Sequence, residues 1–190
     1  MLNEIEFELT TEQFALMGYP RLTQGQPLSV ILDAGVLSPD TAAAYWFTVQ
    51  QEALPARFVR VGRGVYAFTG QIVEAELIKA DDMETATLLI NADGVIFRAT
   101  CAPGDDGRLP FGVWETRTIT GAARLYGVWE DDYATSVGRS VGMTIWRFRR
   151  LVLSPGDARF GEWYESVELP DSPYRYDRVL IEARLHRERL

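Results

Sequence analysis

Residues 85–101 read TATLLINADGVIFRATC. Two runs of β-favouring residues, Thr85 to Ile90 and Val95 to Cys101, flank Asn91-Ala92-Asp93-Gly94. Asx and Gly residues tolerate the positive φ of a tight hairpin, so the segment predicts two neighbouring antiparallel strands. The same grammar recurs outward in both directions. In NEIEFEL, residues 3–9, Ile5, Phe7 and Leu9 alternate with Glu4, Glu6 and Glu8. That period of two reads as a strand with one face buried and the other in water. Further strand-like runs lie at Leu28 to Leu32, Phe58 to Phe68, Gln71 to Ile78, Val113 to Thr120, Ala122 to Trp129, Met143 to Leu153 and Arg178 to His186.

Helical signals are few. Ser38-Pro39-Asp40 before TAAAYWFTVQQEA resembles a capped start with a first-turn proline, and Pro55 closes the run, so one short helix near 39–53 is expected. The AYWFTV portion would also suit a strand. Thr10 or Thr11 before EQFALMG offers a one-turn helix ending at Gly18. Short strands with turn residues every 8–12 or so positions point to an antiparallel barrel, up-and-down or partly open, of about nine to ten strands. A β-sandwich is the alternative, because alternation reports a buried face and not what covers it.

The chain has 190 residues, which suits a single β-rich domain over 1–190. An internal echo falls within it. TGQIVEAELIKADD at Thr69 and TGAARLYGVWEDD at Thr120 are each followed later by Pro-Gly-Asp, at Pro103 and Pro155. The copies, about 69–105 and 120–157, suggest a duplicated strand unit. Turn dipeptides come from a small alphabet, so similar strand lengths alone would produce the same spacing.

Hydrophobic residues make up 47% and charged residues 24%, a globular composition rather than a disordered one. No run approaches the 18 or so apolar residues of a membrane helix, and MLNEIEFELT carries acids where a secretory signal is basic and then apolar. A cytoplasmic protein without membrane association is expected. The formal charge of −8 argues against broad nucleic-acid binding, which needs a basic surface. Arginine dominates the cations, Lys79 being the only lysine.

The catalytic inventory is short. One cysteine, Cys101, and one histidine, His186, leave no disulfide, thiolate zinc site or His-based metal cluster to build, and no cofactor is expected. Cys101 reads as a small buried hydrophobe and His186 as a solvent-facing residue of the last strand. GRGVYAFTG at Gly62 has glycines without phosphate-loop spacing. The acidic turns Asp81-Asp82, Asp105-Asp106 and Asp131-Asp132 lack calcium-loop spacing and read as solvated turns.

Carboxylates, arginines and aromatics remain. Glu74 and Glu76 share a strand face with Ile72 and Ile78, and Glu115 and Arg117 share one with Val113 and Ile119. Such faces either line a wet barrel interior or point to solvent. In MTIWRFRRLVL, Trp146 and Phe148 alternate with Arg147 and Arg149 before the pattern slips, which predicts a bulge near Arg149-Arg150. Arginines beside aromatics suit an anionic ligand, and Trp129 is a further aromatic candidate; Trp114 and Tyr126 read as core. The expected function is a non-catalytic small-molecule binding protein. The alternatives are an assembly protein, with a homodimer as its simplest form, and a carboxylate-dependent enzyme acting on a sugar-like or anionic small molecule.

Overall fold

The computed structural model describes residues 3–9, 21–35, 37, 47–80, 83–101, 118–128, 137–169 and 177–186. Asp93 and Gly94 have φ of 53° and 85°, the left-handed values a two-residue hairpin turn requires, and the Asn91 side chain accepts the Gly94 N–H at 3.0 Å. This turn joins β6 (Met83–Ala92) to β7 (Val95–Cys101) in the register Ala92 opposite Val95. The remaining strands are β1 (Glu4–Leu9), β2 (Pro27–Gly35), β3 (Phe47–Gln50), β4 (Arg57–Gly62), β5 (Val65–Ala80), β8 (Thr118–Val128), β9 (Ser140–Leu151), β10 (Trp163–Ser166) and β11 (Arg178–Leu185).

Hydrogen-bonded neighbours form a closed circuit of eight strands, β9–β11–β1–β8–β5–β6–β7–β2 and back to β9, with β3, β4 and β10 attached outside it. The protein is thus a β-barrel, and the sandwich alternative falls because the pairing closes. The barrel is mixed, not purely antiparallel. Two parallel seams complete it, Glu8-Leu9 of β1 against Tyr126-Gly127 of β8, and Asp33-Ala34 of β2 against Arg98-Ala99 of β7. The count is eleven strands among the described residues: Phe58 to Phe68 turns at Arg63-Gly64 into β4 and the start of β5, which continues through Gln71 to Ile78; the described parts of Val113 to Thr120 and Ala122 to Trp129 form the single strand β8; and the short β3 and β10 were not anticipated.

No helix occurs among the described residues. Of the helix expected near 39–53, residues 39–46 lie outside them, and Phe47–Gln50 pairs with β8 as strand β3. The buried Phe47 and the β-branched Thr48 and Val49 suit a pleated surface better than a helix. The one-turn helix expected after Thr10 also lies outside the described residues.

One hydrophobic cluster fills the interior. Phe58 stacks on Tyr66 at 4.5 Å, and Phe97 meets Phe68 edge-on at 5.0 Å. Phe7 packs so closely on β8 that a Cβ at Gly127 would lie 2.4 Å from its ring. The two echoed segments meet only at their first residues, Thr69 of β5 opposite Thr120 of β8, and run in opposite directions from there, with β5 pairing β6 from Gln71 onward.

Candidate functional site

Ile5, Phe7 and Leu9 of β1 enter the core, so alternation turns Glu4, Glu6 and Glu8 to the other face. Glu4 is exposed as the sequence suggested, but the rest of that face is not in water. Glu6 has no exposed surface and Glu8 is buried. Their cover is guanidinium. Arg60 of β4 reaches Glu6 at 2.8 Å and Arg149 of β9 reaches it at 3.0 Å, while the Gly64 N–H donates to the same carboxylate at 2.7 Å. Arg178 grips Glu8 with two parallel hydrogen bonds of 2.8 and 2.7 Å, and Arg124 lies 3.5 Å away. The buried Arg124 Nε has no hydrogen-bond partner among the described residues.

Strand register creates the demand for these cations. Glu6 sits directly opposite Glu182 of β11, a like-charge pairing that destabilises a bare sheet. Arg147 donates through Nε to Glu182, Arg60 reaches it at 3.3 Å and Arg149 at 3.6 Å. Burial alone would raise the Glu182 carboxyl, but the Arg147 hydrogen bond and the charges of Arg149, Arg147 and Arg60 outweigh it and hold it below its ordinary value. Glu165 of β10 joins from the outer edge, 3.0 Å from Arg147 and 3.4 Å from Arg149. Beyond it, Arg63 lies over the Trp163 ring at 4.4 Å.

The tip of the β4–β5 hairpin covers this layer. Tyr66, with its ring in the core, accepts the Glu6 N–H on its hydroxyl at 2.7 Å, and burial is the main reason its phenol is pushed up to about 12. Fixed backbone donors and a buried phenol therefore hold the centre of the charged layer in one geometry.

A bulge opens a groove at the layer's end. Glu182 pairs with Arg147 and Ala183 with Ile145, which leaves Trp146 as the extra residue of β9. The parity of β9 flips there: Met143 and Ile145 face inward before it, Phe148 after it. The bulge lies at Trp146, not at Arg149-Arg150. Arg150 consequently turns away from Arg147 and Arg149, pairs with the buried Asp177 and donates to the Tyr164 hydroxyl at 2.6 Å. Burial would raise the Asp177 carboxyl, yet the Leu153 N–H, Ser154 and Arg150 together bring it below its ordinary value.

Trp146 is expelled to the surface, 40% exposed, with the Arg184 guanidinium 4.2 Å from its ring centroid. It lines an open groove of about 540 Å³ together with Gln24, Arg147, Glu165, Ser166 and Val167. A smaller hollow of about 120 Å³ lies beside Arg150, Tyr164 and Glu168 and reaches Phe148 and Val179.

Of the candidates read from the sequence, Trp146 and Arg147 meet in the groove and Arg149 stands beside them through Glu165. Glu74 and Glu76 line neither hollow. A bulge at Val73 places Glu74 opposite Leu89 instead of Leu88, so it does not share a face with Ile72; it is exposed, 3.8 Å from Arg139. Glu115, Arg117 and Trp129 lie outside the described residues. Missed from sequence were Glu6, Glu182, Arg60 and Glu165, whose alternation resembles that of any solvated strand face. His186 accepts or donates a 2.7 Å hydrogen bond with Thr144, and Cys101 is buried, its thiol pushed up to about 12 by burial.

No group of three or more His, Cys, Asp or Glu side chains among the described residues is arranged to hold a metal ion, and no described helix is long and apolar enough to cross a membrane. In comparisons with known proteins, no family model, no curated protein and no solved structure matched this chain.

Proposed function

We propose that the protein is a non-catalytic small-molecule binding protein whose site is the groove over Trp146, on the barrel's outer wall. The observation that carries this reading is the groove itself. Its volume of about 540 Å³ falls in the range of small-molecule sites, and it joins an exposed indole to convergent polar groups from β9 and β10. The interior suits a ligand less well, since Tyr66, Phe7, Phe97 and Phe148 are fully buried there against their neighbours. Glu74 and Glu76, the acids considered for catalysis, stand away from the groove, and the buried acids are saturated by guanidinium.

Native mass spectrometry of the purified protein, beside its denatured mass, tests the reading. A retained small molecule that disappears on denaturation, and that a Trp146→Ala variant fails to retain, is the expected result. Retention undiminished in Trp146→Ala would overturn the assignment of the groove. A ligand-free multimer would instead favour assembly, for which the exposed Phe160 and Val167 flanking β10 supply apolar surface.

A further inference from the structure

The groove's charges specify its ligand, an inference that rests on the binding reading above. Three guanidinium groups, Arg60, Arg147 and Arg149, converge on two buried carboxylates, Glu6 and Glu182. The difference is one positive charge. Glu165 supplies the third acid by bridging Arg147 at 3.0 Å and Arg149 at 3.4 Å. It differs from the other two in one respect: its side chain is 57% exposed, whereas that of Glu6 is fully buried and that of Glu182 is 8% exposed. Exposed ion pairs contribute little, because solvent screens them and a long side chain loses rotamer freedom to hold one geometry. The buried acids are fixed, and the exposed one is exchangeable.

We propose that Glu165 is a built-in counterion, and that the groove binds a flat-ringed acid whose carboxylate or phosphate displaces it from Arg147 and Arg149. Guanidinium forks match the oxygens of either anion; an incoming carboxylate keeps the cluster of Arg60, Arg147 and Arg149 with its acids neutral while Glu165 swings into water, and a phosphate monoester leaves it slightly negative. Trp146 provides the flat surface. Its indole carries Arg184 at 4.2 Å and remains 40% exposed, and it lines the same groove as Arg147 and Glu165. Residue 165 thereby acts as a gatekeeper: it lowers affinity for every acid and excludes neutral rings from the arginines.

The probes are 2-naphthoate and its neutral amide, 2-naphthamide, titrated by ligand-observed NMR into the wild type, Glu165→Gln and Trp146→Ala. The expected pattern is tighter binding of the acid than the amide by the wild type. Glu165→Gln should tighten the acid further by about three- to fivefold, the affinity equivalent of removing an exposed ion pair, and leave the amide within about twofold. Trp146→Ala should weaken both. If the amide binds through Trp146 but Glu165→Gln leaves the acid's affinity unchanged, the counterion proposal is wrong and the groove still binds. If neither probe binds, or both bind Trp146→Ala as well as the wild type, the groove reading falls and the counterion proposal with it.

Discussion

Replacing Glu182 with glutamine isolates the central electrostatic claim. The side chain keeps its size and one acceptor oxygen but loses its charge. Two charge-assisted hydrogen bonds are affected, from Arg147 Nε and, at 3.3 Å, from Arg60 Nη1. With one acceptor oxygen left, one of these bonds is lost and the other, from a still-charged arginine, is kept; a bond to a charged group contributes about 1.5–3 kcal/mol, so the change costs about 2 kcal/mol in all. Relief of the like-charge pairing with Glu6 returns about 0.2–1 kcal/mol, and the one-third exposure of Arg147 and Arg60 trims the loss further. Glu182→Gln should therefore lose about 1–2 kcal/mol at pH 7, a fall in Tm of roughly 2–8 °C for a chain of this length.

The sign of the pH dependence follows from the depressed Glu182 carboxyl. Its stabilising contribution is fully present above the ordinary value of 4.5 and disappears as pH falls through the lower folded-state value. Urea unfolding of both proteins, followed by tryptophan fluorescence and stepped down from pH 7, should show a gap that closes in acid. A variant as stable as the wild type at pH 7 would refute the idea that the guanidinium groups overcome the Glu6–Glu182 opposition. A gap unchanged in acid would show that charge is not its origin.

Three further perturbations probe other parts of the barrel. Gly127→Ala pushes a Cβ to 2.4 Å from the buried Phe7 ring at the parallel β1–β8 seam, and should cost about 1–3 kcal/mol in chemical denaturation. Asp177→Ala removes the acceptor for the Leu153 and Ser154 N–H groups, at 2.7 and 2.8 Å, and the partner of Arg150; a loss of about 3–5 kcal/mol is expected, shrinking as acid protonates the wild-type aspartate. Cys101, buried with its thiol pushed up to about 12, should resist a thiol-reactive disulfide in the native protein at pH 8 and react fully in denaturant; prompt native reaction would contradict its placement on β7.

Local chemistry was readable where it is local. The hairpin at Asp93-Gly94 required two left-handed residues, and few sequences other than Asx-Gly supply them. Closure was not readable, because each parallel seam rests on two residue pairs between segments far apart in the chain: Glu8 with Tyr126, Asp33 with Arg98 and their neighbours. The bulge was seen as a slip in MTIWRFRRLVL but misplaced, since Trp146 looked like a partner of Phe148 when it lies on the far side of the parity change.

The charged layer was hidden for a different reason. Alternation in NEIEFEL reports only that Glu6 and Phe7 face opposite ways, and water and guanidinium give a glutamate the same sequence pattern. What separates them is complementarity between strands. The acids of β1 recur with period two, and so do Arg147 and Arg149; when such strands share a face with Glu182 of β11, burial becomes tolerable only because the register interleaves their signs. A solvated face needs no such match. Around Arg60, Arg147 and Arg149, Glu6 and Glu182 are locked by burial while Glu165 stands in water, which is why Glu165 is the acid proposed to yield to a ligand.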